Sequence, residues 1–423
     1  MKISVVGGGY VGLVSSASFA ELGHSVELIE VDADKVRAIN SAEPPIHEKG
    51  LGELLSRHVG RNLKASCDYD RVRDADLSFI CVGTPPGPDG SADLSMAMSA
   101  SRSLGESLQG RDGYHVVVVK STVPPGTTQN LIMPAVLRYS GKAGDGIGFA
   151  MNPEFLREGL AVQDFMHPDR IVIGSSDQRA AEVVESVYSG INAPKMRVGL
   201  SEAEMIKYAS NALLATKISF SNEVGNICKK LGIDVYEVMR GVGMDHRISP
   251  HFLNAGAGFG GSCFPKDVMA MIRLGERLGE DPVLLKSVIE VNERQPLRMV
   301  EMLEKRIGPL SGKEVAVLGL AFKNDTDDVR DSRAVPVIEE LLRRGALVRA
   351  YDPMAASNMQ KIVPDIDYCE RAARALKDAD GCLIMTEWPE FSELDREFDA
   401  MRSRVIIEGR RILSCRGGEG ICW

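Results

Sequence analysis

Three groups of residues in this chain have the types and spacing that covalent chemistry requires. The first is Gly256-Ala257-Gly258-Phe259-Gly260-Gly261-Ser262-Cys263-Phe264-Pro265-Lys266-Asp267. Gly258, Gly260 and Gly261 permit strained turns and close approach of a ligand to the main chain. Pro265 suits the first turn of a helix, so Cys263 is expected at or just before a helix N-terminus. There the helix dipole and the Lys266 ammonium would both favour the thiolate, the reactive form of cysteine. A buried, inert cysteine fits the same residues. The second group is Lys207 and Asn211, four positions apart in a helical pattern and so on one face. An ammonium and an amide on one face can hold a developing alkoxide and position a hydroxyl. A surface lysine beside an asparagine is the plain alternative. The third is Glu154 and Glu158 in Asn152-Pro153-Glu154-Phe155-Leu156-Arg157-Glu158-Gly159. One carboxylate can act as base or orient water while the other faces a cofactor. Acids also favour a first helical turn for its dipole alone.

The element best placed to bring a cofactor to such groups opens the chain. Ile3-Ser4-Val5-Val6 reads as a strand, followed by Gly7-Gly8-Gly9-Tyr10-Val11-Gly12 and a helical pattern to about Leu22, with Gly23 as its stop. A second strand, Ser25 to Glu30, ends in an acid. Gly7 makes the tight turn, Gly9 lets the backbone approach a pyrophosphate, and Gly12 lets helix and strand pack closely. Glu30 is placed to accept from ribose hydroxyls, and with Asp32 it would repel a 2′-phosphate, which favours NAD over NADP. Further strands are expected at 76–82, 115–120, 147–151 and 170–174. The loops 83–86, 121–126 and 152–154 follow the first three, and ligands of an open parallel sheet bind beyond the carboxyl ends of its strands.

From Ser201 the pattern turns helical. Ser201-Glu202-Ala203-Glu204 has the form of a capping box, the helix continues to about Leu231, and another lies near 282–292. The last third echoes the first, with strands at 314–320, 347–352, 381–386 and 404–408 and a helix at 335–344. It lacks the glycine fingerprint. Lys323, Arg330 and Arg333 follow its first strand instead, which suggests a second nucleotide site holding phosphate by cationic side chains; a solvated charged loop fits them too. The expected fold is α/β, with two Rossmann-like doubly wound parallel-sheet domains joined by a central helical segment. The expected divisions are residues 1–200, which carry the dinucleotide turn, 201–300, a helical connector, and 301–423, the second sheet.

Composition narrows the partners. Fifty basic and fifty-nine acidic residues leave the 423-residue chain at −9, which argues against duplex nucleic acid. A hydrophobic content of 44% excludes a disordered chain. No apolar run approaches a membrane span, and the N-terminus lacks the form of a signal peptide. Eight scattered cysteines give neither a disulfide framework nor zinc spacing, so no metal is expected, and the protein reads as cytoplasmic.

Taken together, these motifs resemble those of the UDP-glucose/GDP-mannose dehydrogenase family over nearly the whole chain. The likeness rests on the glycine turn, Ser121-Thr122-Val123-Pro124-Pro125-Gly126, the 152–159 segment, Glu204-Met205-Ile206-Lys207-Tyr208 to Asn211, 259–267, and Phe322-Lys323 to Arg330. The resemblance implies a four-electron oxidation of a sugar C6 hydroxymethyl group to a carboxylate with two NAD. Cys263 would attack an aldehyde-level intermediate and form a thioester. Lys207 and Asn211 would support the alcohol and oxyanion steps, Asp267 would handle water or protons, Glu154 thioester hydrolysis, and Thr122 an ordered water. By the same likeness NAD contacts fall on Gly7, Gly9, Tyr10, Val11, Gly12, Glu30, Lys35, Thr84, Thr122, Glu158 and Arg330. Nucleotide-sugar contacts fall on Glu154, Phe155, Leu156, Lys207, Asn211, Phe252, Gly260, Phe322, Lys323 and Arg410. Arg247 matches an arginine that reaches a neighbouring subunit, implying a homodimer built on the central helices.

Two positions depart from the family pattern. Glu30 stands where aspartate is usual, and Asn254 stands where some relatives have lysine. The 245–253 and 263–265 segments look more like enzymes of UDP-glucose than of GDP-mannose, which is the alternative substrate. A two-electron hydroxyacid dehydrogenase would leave Cys263 without work, and a non-catalytic NAD sensor would leave Lys207, Cys263 and Asp267 unexplained together. The 415–422 stretch is expected to be a flexible tail.

Overall fold

Valine at four successive positions, Val116 to Val119, calls for a strand covered on both faces, because side chains alternate and neither face can then meet water. A computed structural model describes residues 1–142, 146–413 and 417–423 and sets these valines within an eight-stranded sheet. The chain divides into two compact units, Met1–Ser210 and Asn211–Trp423, each built around its own sheet.

In the first unit the strands are β1 (Lys2–Val6), β2 (Ser25–Ile29), β3 (Leu63–Ser66), β4 (Leu77–Ile80), β5 (His115–Val119), β6 (Ile147–Met151), β7 (Ile171–Ser175) and β8 (Lys195–Val198). Their order is β3-β2-β1-β4-β5-β6-β7-β8. The first six are parallel in the doubly wound dinucleotide order. Val116 and Val118 pack with Ile3, Val5, Leu28 and Phe79 on one face. Val117 and Val119 pack with Val6, Ile29, Ile80 and Phe149 on the other. β7 runs antiparallel to β6, which corrects the expectation of a parallel strand at 170–174. The connection spends its length on a loop and the six-residue helix Ala161–Met166. That is about 9 Å of helix, too short to carry the chain back beside a five-residue strand of about 17 Å.

The second unit holds β9 (Glu314–Leu318), β10 (Leu347–Tyr351), β11 (Asp367–Tyr368), β12 (Gly381–Ile384), β13 (Ile406–Glu408) and β14 (Gly418–Gly420). All are parallel in the order β11-β10-β9-β12-β13-β14, the same winding as the first six strands. Helices Val235–Gly243, Phe264–Arg277, Val283–Arg294 and Leu297–Ile307 precede this sheet. The 32-residue helix Leu200–Leu231 begins in the first unit and continues into the second.

Two local expectations are corrected. The capping box does not form: the long helix starts at Leu200, and Glu204 is fully buried instead of folding back on Ser201. Its carboxylate accepts from the amides of Gly126 and Thr128, at 2.5 and 2.7 Å. Those buried amides need a partner, whereas amides at an exposed helix start can use water. The C-terminal stretch is not a loose tail either. Gly418–Gly420 pairs with β13, Ile421 and Cys422 are fully buried, and Trp423 stacks edge-on against Tyr236 at 5.2 Å. Cys415 lies outside the described residues.

Candidate active site

In the first unit the glycines of the opening turn divide by task. Gly7 has φ +104°, and a Cβ there would lie 2.7 Å from the Cys81 carbonyl oxygen; one on Gly12 would lie 1.8 Å from that of Gly7. These two serve packing. Gly9 is different, since no atom lies within 4 Å of where its Cβ would be. Helix Tyr10–Glu21 starts beside that open space with no side chain capping it. Space and uncapped amides are what a phosphate-bearing cofactor needs. Gly8, which the fingerprint leaves unspecified, donates its amide to Glu30 Oε2 at 2.7 Å, and a Cβ on it would crowd that oxygen.

Glu30 also accepts from the Asp32 amide at 2.9 Å. A carboxylate has about four acceptor sites, so capacity for ribose hydroxyls remains. Asp32 itself caps helix Ala33–Asn40, and Lys35 is exposed in its first turn. Val11 is half-buried against the first core. Across the strand ends, Thr84 Oγ1 donates to the Thr122 carbonyl at 2.8 Å, joining two of the expected cofactor contacts.

After β6 the structure pairs residues differently from their sequence spacing. Glu154 Oε1 lies 3.0 Å from Lys207 Nζ, with both side chains almost wholly buried. Glu154 Oε2 accepts from the Leu156 amide at 2.6 Å. Burial pushes the Glu154 carboxyl up, but the Lys207 ammonium, the Leu156 amide and the more distant Lys120 outweigh it, and its affinity for protons falls below the ordinary range. Phe155 lies under the Arg170 guanidinium at 4.0 Å and 5.4 Å from Lys207 Nζ. Glu158 is half-buried four residues on.

Lys120 escaped the sequence reading. It is buried at the end of β5 and donates to Asn152 Oδ1 at 3.0 Å and the Tyr188 hydroxyl at 3.4 Å. Burial pushes its ammonium down to about 8, against the pull of Cys81 and Glu154. A lysine closing a valine run was the available signal.

In the second unit Cys263 is the N-cap of helix Phe264–Arg277, with Pro265 in the first turn and Ser262 Oγ 3.7 Å from its sulfur. One turn on, Asp267 is 1% exposed. Its carboxylate is 2.5 Å from Lys266 Nζ and accepts from Asn211 Nδ2 at 2.6 Å. Lys266 is thus ion-paired with Asp267, and Cys263 stands at a helix N-terminus, a position whose dipole favours thiolate.

The glycines ahead of Cys263 supply the expected turns, Gly258 at φ +105° and Gly261 at φ +84°. A Cβ on Gly258, Gly260 or Gly261 would meet Asn292 at 2.6 Å, the Asp331 carbonyl at 2.2 Å or the Phe322 ring at 2.7 Å. The close approach is made by the chain itself. Arg410 donates to the Gly258 carbonyl at 2.6 Å, and Phe252, at φ +65°, stacks edge-on against Phe264 at 6.1 Å. Arg247 is exposed and bonded to Asp245 at 2.6 Å.

The expected cationic phosphate cradle meets occupied arginines. Arg330 binds Asp328 through two nitrogens, at 2.6 and 2.9 Å, and Arg333 binds Glu293 at 2.9 Å. Lys323 lies half-buried with its Nζ 5.8 Å from the Phe322 ring. Asp352, after β10, accepts from the amides of Leu320, Ala321, Met354 and Ala355 at 2.6 to 3.0 Å, and from the Trp388 indole at 3.0 Å. Among the described residues no cluster of metal-ligating side chains occurs and no helix is long and apolar enough to cross a membrane.

Comparison with known proteins agrees with this arrangement. Models of the UDP-glucose/GDP-mannose dehydrogenase family match at residues 1–192 (NAD binding domain), 201–294 (central domain) and 316–415 (UDP binding domain). The chain is 50% identical to the UDP-glucose 6-dehydrogenase AglM of Haloferax volcanii, over 99% of this chain and 98% of that one. The solved UDP-glucose dehydrogenase of Pyrobaculum islandicum is 46% identical with a TM-score of 0.95, over 100% of this chain and 98% of that one. The GDP-mannose dehydrogenase of Pseudomonas aeruginosa is 33% identical with a TM-score of 0.58, over 100% of both. With its dinucleotide turn, its second wound sheet and matches along almost its whole length, the chain belongs to the UDP-glucose/GDP-mannose dehydrogenase family.

Proposed function

We propose that this chain oxidises the C6 hydroxymethyl group of UDP-glucose to a carboxylate, giving UDP-glucuronate through a thioester on Cys263. The chain is an NAD-dependent oxidoreductase, and NAD, when bound, accepts a hydride in each of two oxidations. The open space at Gly9, the uncapped helix start and the remaining acceptor capacity of Glu30 suit that cofactor. Tyr10, Val11, Lys35, Thr84, Glu158 and Arg330 complete its proposed contacts.

The single observation that carries the chemistry is Cys263 at a helix N-cap, one turn ahead of a buried Asp267 that is held by Asn211 and Lys266. In the first oxidation the C6 hydroxyl loses its proton and the carbon loses a hydride, leaving an aldehyde. Lys207 and Asn211 stabilise the oxyanion. The Cys263 sulfur then bonds to the aldehyde carbon, and loss of the second hydride converts the adduct to a thioester. Water, ordered by Thr122 and deprotonated with the help of Glu154 or Asp267, attacks that carbon. The C–S bond breaks, the thiol takes a proton, and the carboxylate leaves.

Phe155, Leu156, Phe252, Gly260, Phe322, Lys323 and Arg410 hold the nucleotide sugar in this proposal. The division 1–200, 201–300 and 301–423 then separates cofactor binding, connection and UDP-sugar binding. A homodimer is part of the reading. It is supported by exposed Leu213, Phe220 and Ile227, seven residues apart along the long helix, an apolar stripe of the kind that pairs helices. Arg247 would cross to the partner site. A cytoplasmic setting fits seven described cysteines, none of them in a disulfide.

The test is NADH formed per sugar consumed, with UDP-glucose and GDP-mannose in parallel. Two NADH per UDP-glucose, falling to one or a stalled adduct in Cys263→Ser, supports the proposal. Two per GDP-mannose transfers the chemistry to the other substrate, and one per sugar in the unaltered enzyme removes the thioester.

A further inference from the structure

Glu48 has no task in the reaction described above, yet it is almost wholly buried. A buried carboxylate persists only where donors converge on it. Here three do. Oε2 accepts from the Gly159 amide at 2.7 Å, Oε1 accepts from the Ala161 amide at 2.9 Å, and the Tyr10 hydroxyl donates to Oε2. The Gly159 amide is shared with the Tyr10 oxygen at 3.0 Å. Burial, then the bond to Glu48 and its charge, push the Tyr10 hydroxyl far above its ordinary range, so it stays a donor.

These donors come from two structures with separate duties. Tyr10 opens the helix that starts beside the open space at Gly9. Gly159 and Ala161 close the segment that begins at Asn152 and carries Glu154 and Glu158; Gly159 takes φ +79° on the way. On the outer side the Arg157 guanidinium is clasped by Asp164 through two bonds, at 2.6 and 2.9 Å, while Glu48 holds the inner end of the segment at Gly159 and Ala161.

We propose that Glu48 is a positioning residue of the oxidation: it ties the Glu154–Glu158 segment to the first turn of the cofactor helix, so that NAD binding and the placement of Glu154 are set together. This rests on the reading of the glycine turn as the NAD site and of Glu154 and Glu158 as site residues. Glutamine at 48 keeps the size but offers one acceptor oxygen for two amides and turns its own N–H groups towards a donor. Phenylalanine at 10 leaves both amide bonds and removes only the hydroxyl.

The experiment measures NAD affinity by calorimetry without sugar, hydrogen exchange of the 156–161 amides, and KM for NAD and for UDP-glucose separately. For Glu48→Gln the expected result is an NAD dissociation constant and KM raised about tenfold, the size of one lost charged hydrogen bond. KM for UDP-glucose should rise too, by a smaller factor, because Phe155 and Leu156 lie on the same segment, and exchange at 159–161 should quicken with the change in NAD affinity. Tyr10→Phe should shift the NAD values the same way by about threefold. Should Glu48→Gln fail to fold, Tyr10→Phe decides alone, and unchanged NAD values in it overturn the proposal. Faster exchange at 159–161 with unaltered NAD affinity in Glu48→Gln also overturns it, because Glu48 is then only a loop anchor. A Gly9→Val control separates the premise: if that variant still binds NAD normally, the cofactor-site reading fails, and the Glu48 proposal with it.

Discussion

The two sheets share one winding order and use the end of their second strand in opposite ways. In the first, Glu30 accepts two backbone amides and keeps acceptor capacity for a ribose. In the second, Asp352 accepts four amides and an indole, and is saturated. The turns differ in the same sense. Gly7 and Gly319 both take positive φ after the first strand, but Gly9 faces open space where Ala321 is 1% exposed. Equal topology therefore does not give equal binding. What differs is how much of the loop its own acid takes: Glu30 takes the Gly8 amide and leaves the space at Gly9 open, whereas Asp352 takes the amides of both Leu320 and Ala321. Each unit also hides a charged pair, Lys207–Glu154 in the first and Lys266–Asp267 in the second.

The largest expected effect comes from breaking the first of those pairs. Lys207→Met strands a buried carboxylate and should cost about 3–5 kcal/mol in urea unfolding, besides abolishing turnover. Because Glu154 titrates below its ordinary range when folded, the pair's contribution is present at neutral pH and lost as pH falls through that lowered value. In Lys207→Met the acid is left mainly with its burial, so its titration should move upwards.

Next in size, Gly9→Val should reduce NAD affinity about a hundredfold by filling the cofactor's space, with little change in Tm. Ala321→Val, its counterpart in the second sheet, should do the reverse, losing about 1–3 kcal/mol of stability by overpacking with NAD affinity unchanged. Calorimetry and thermal melts on both variants test the comparison directly; NAD loss in the second would sink it.

Asp352→Asn and Glu30→Gln sharpen it further. The first should cost about 2 kcal/mol and spare NAD binding, while the second should weaken NAD more than it destabilises the fold. The last test concerns Lys120 and is read against pH. Its folded-state value near 8 lies below the unfolded one, so the unfolded chain binds more protons between the two. Stability relative to Lys120→Met should rise with pH from about 8 to 10.5, by at most about 1.4 kcal/mol per unit. A flat difference between the two urea midpoints over that range would refute the burial argument.

Much of this was legible wherever an element repeats locally. β5 declares itself because burial on both faces demands an unbroken apolar run, and β1 and β2 because their apolar residues flank the glycine turn and its helix. β3, β8, β11 and β14 were not legible: Leu63-Lys64-Ala65-Ser66, Lys195-Met196-Arg197-Val198, Asp367-Tyr368 and Gly418-Glu419-Gly420 lie at or near sheet edges and need no such run. The same holds for the candidate site. Residue types and the helix start at Cys263 could be read, but the bond from Lys207 to Glu154 spans 53 positions and is a product of folding. Glu204 misled for a related reason, since its local pattern fits a cap while distant amides claim its carboxylate. Glycines at 258, 260 and 261 could be read as close-approach positions, but that Asn292, Asp331 and Phe322 lie where their Cβ atoms would be is again a product of folding.

The helix Leu200–Leu231 contains no proline, and its one glycine, Gly225, lies well past Lys207 and Asn211. Those two residues are thus fixed in phase on an uninterrupted rod. One residue inserted between them would rotate Asn211 about 100° away from the Lys207 side, and two would send it past the opposite side. Seven would restore the phase at the expense of about 10 Å of separation. Length changes at this point are therefore quantised, and no small insertion or deletion here can be silent.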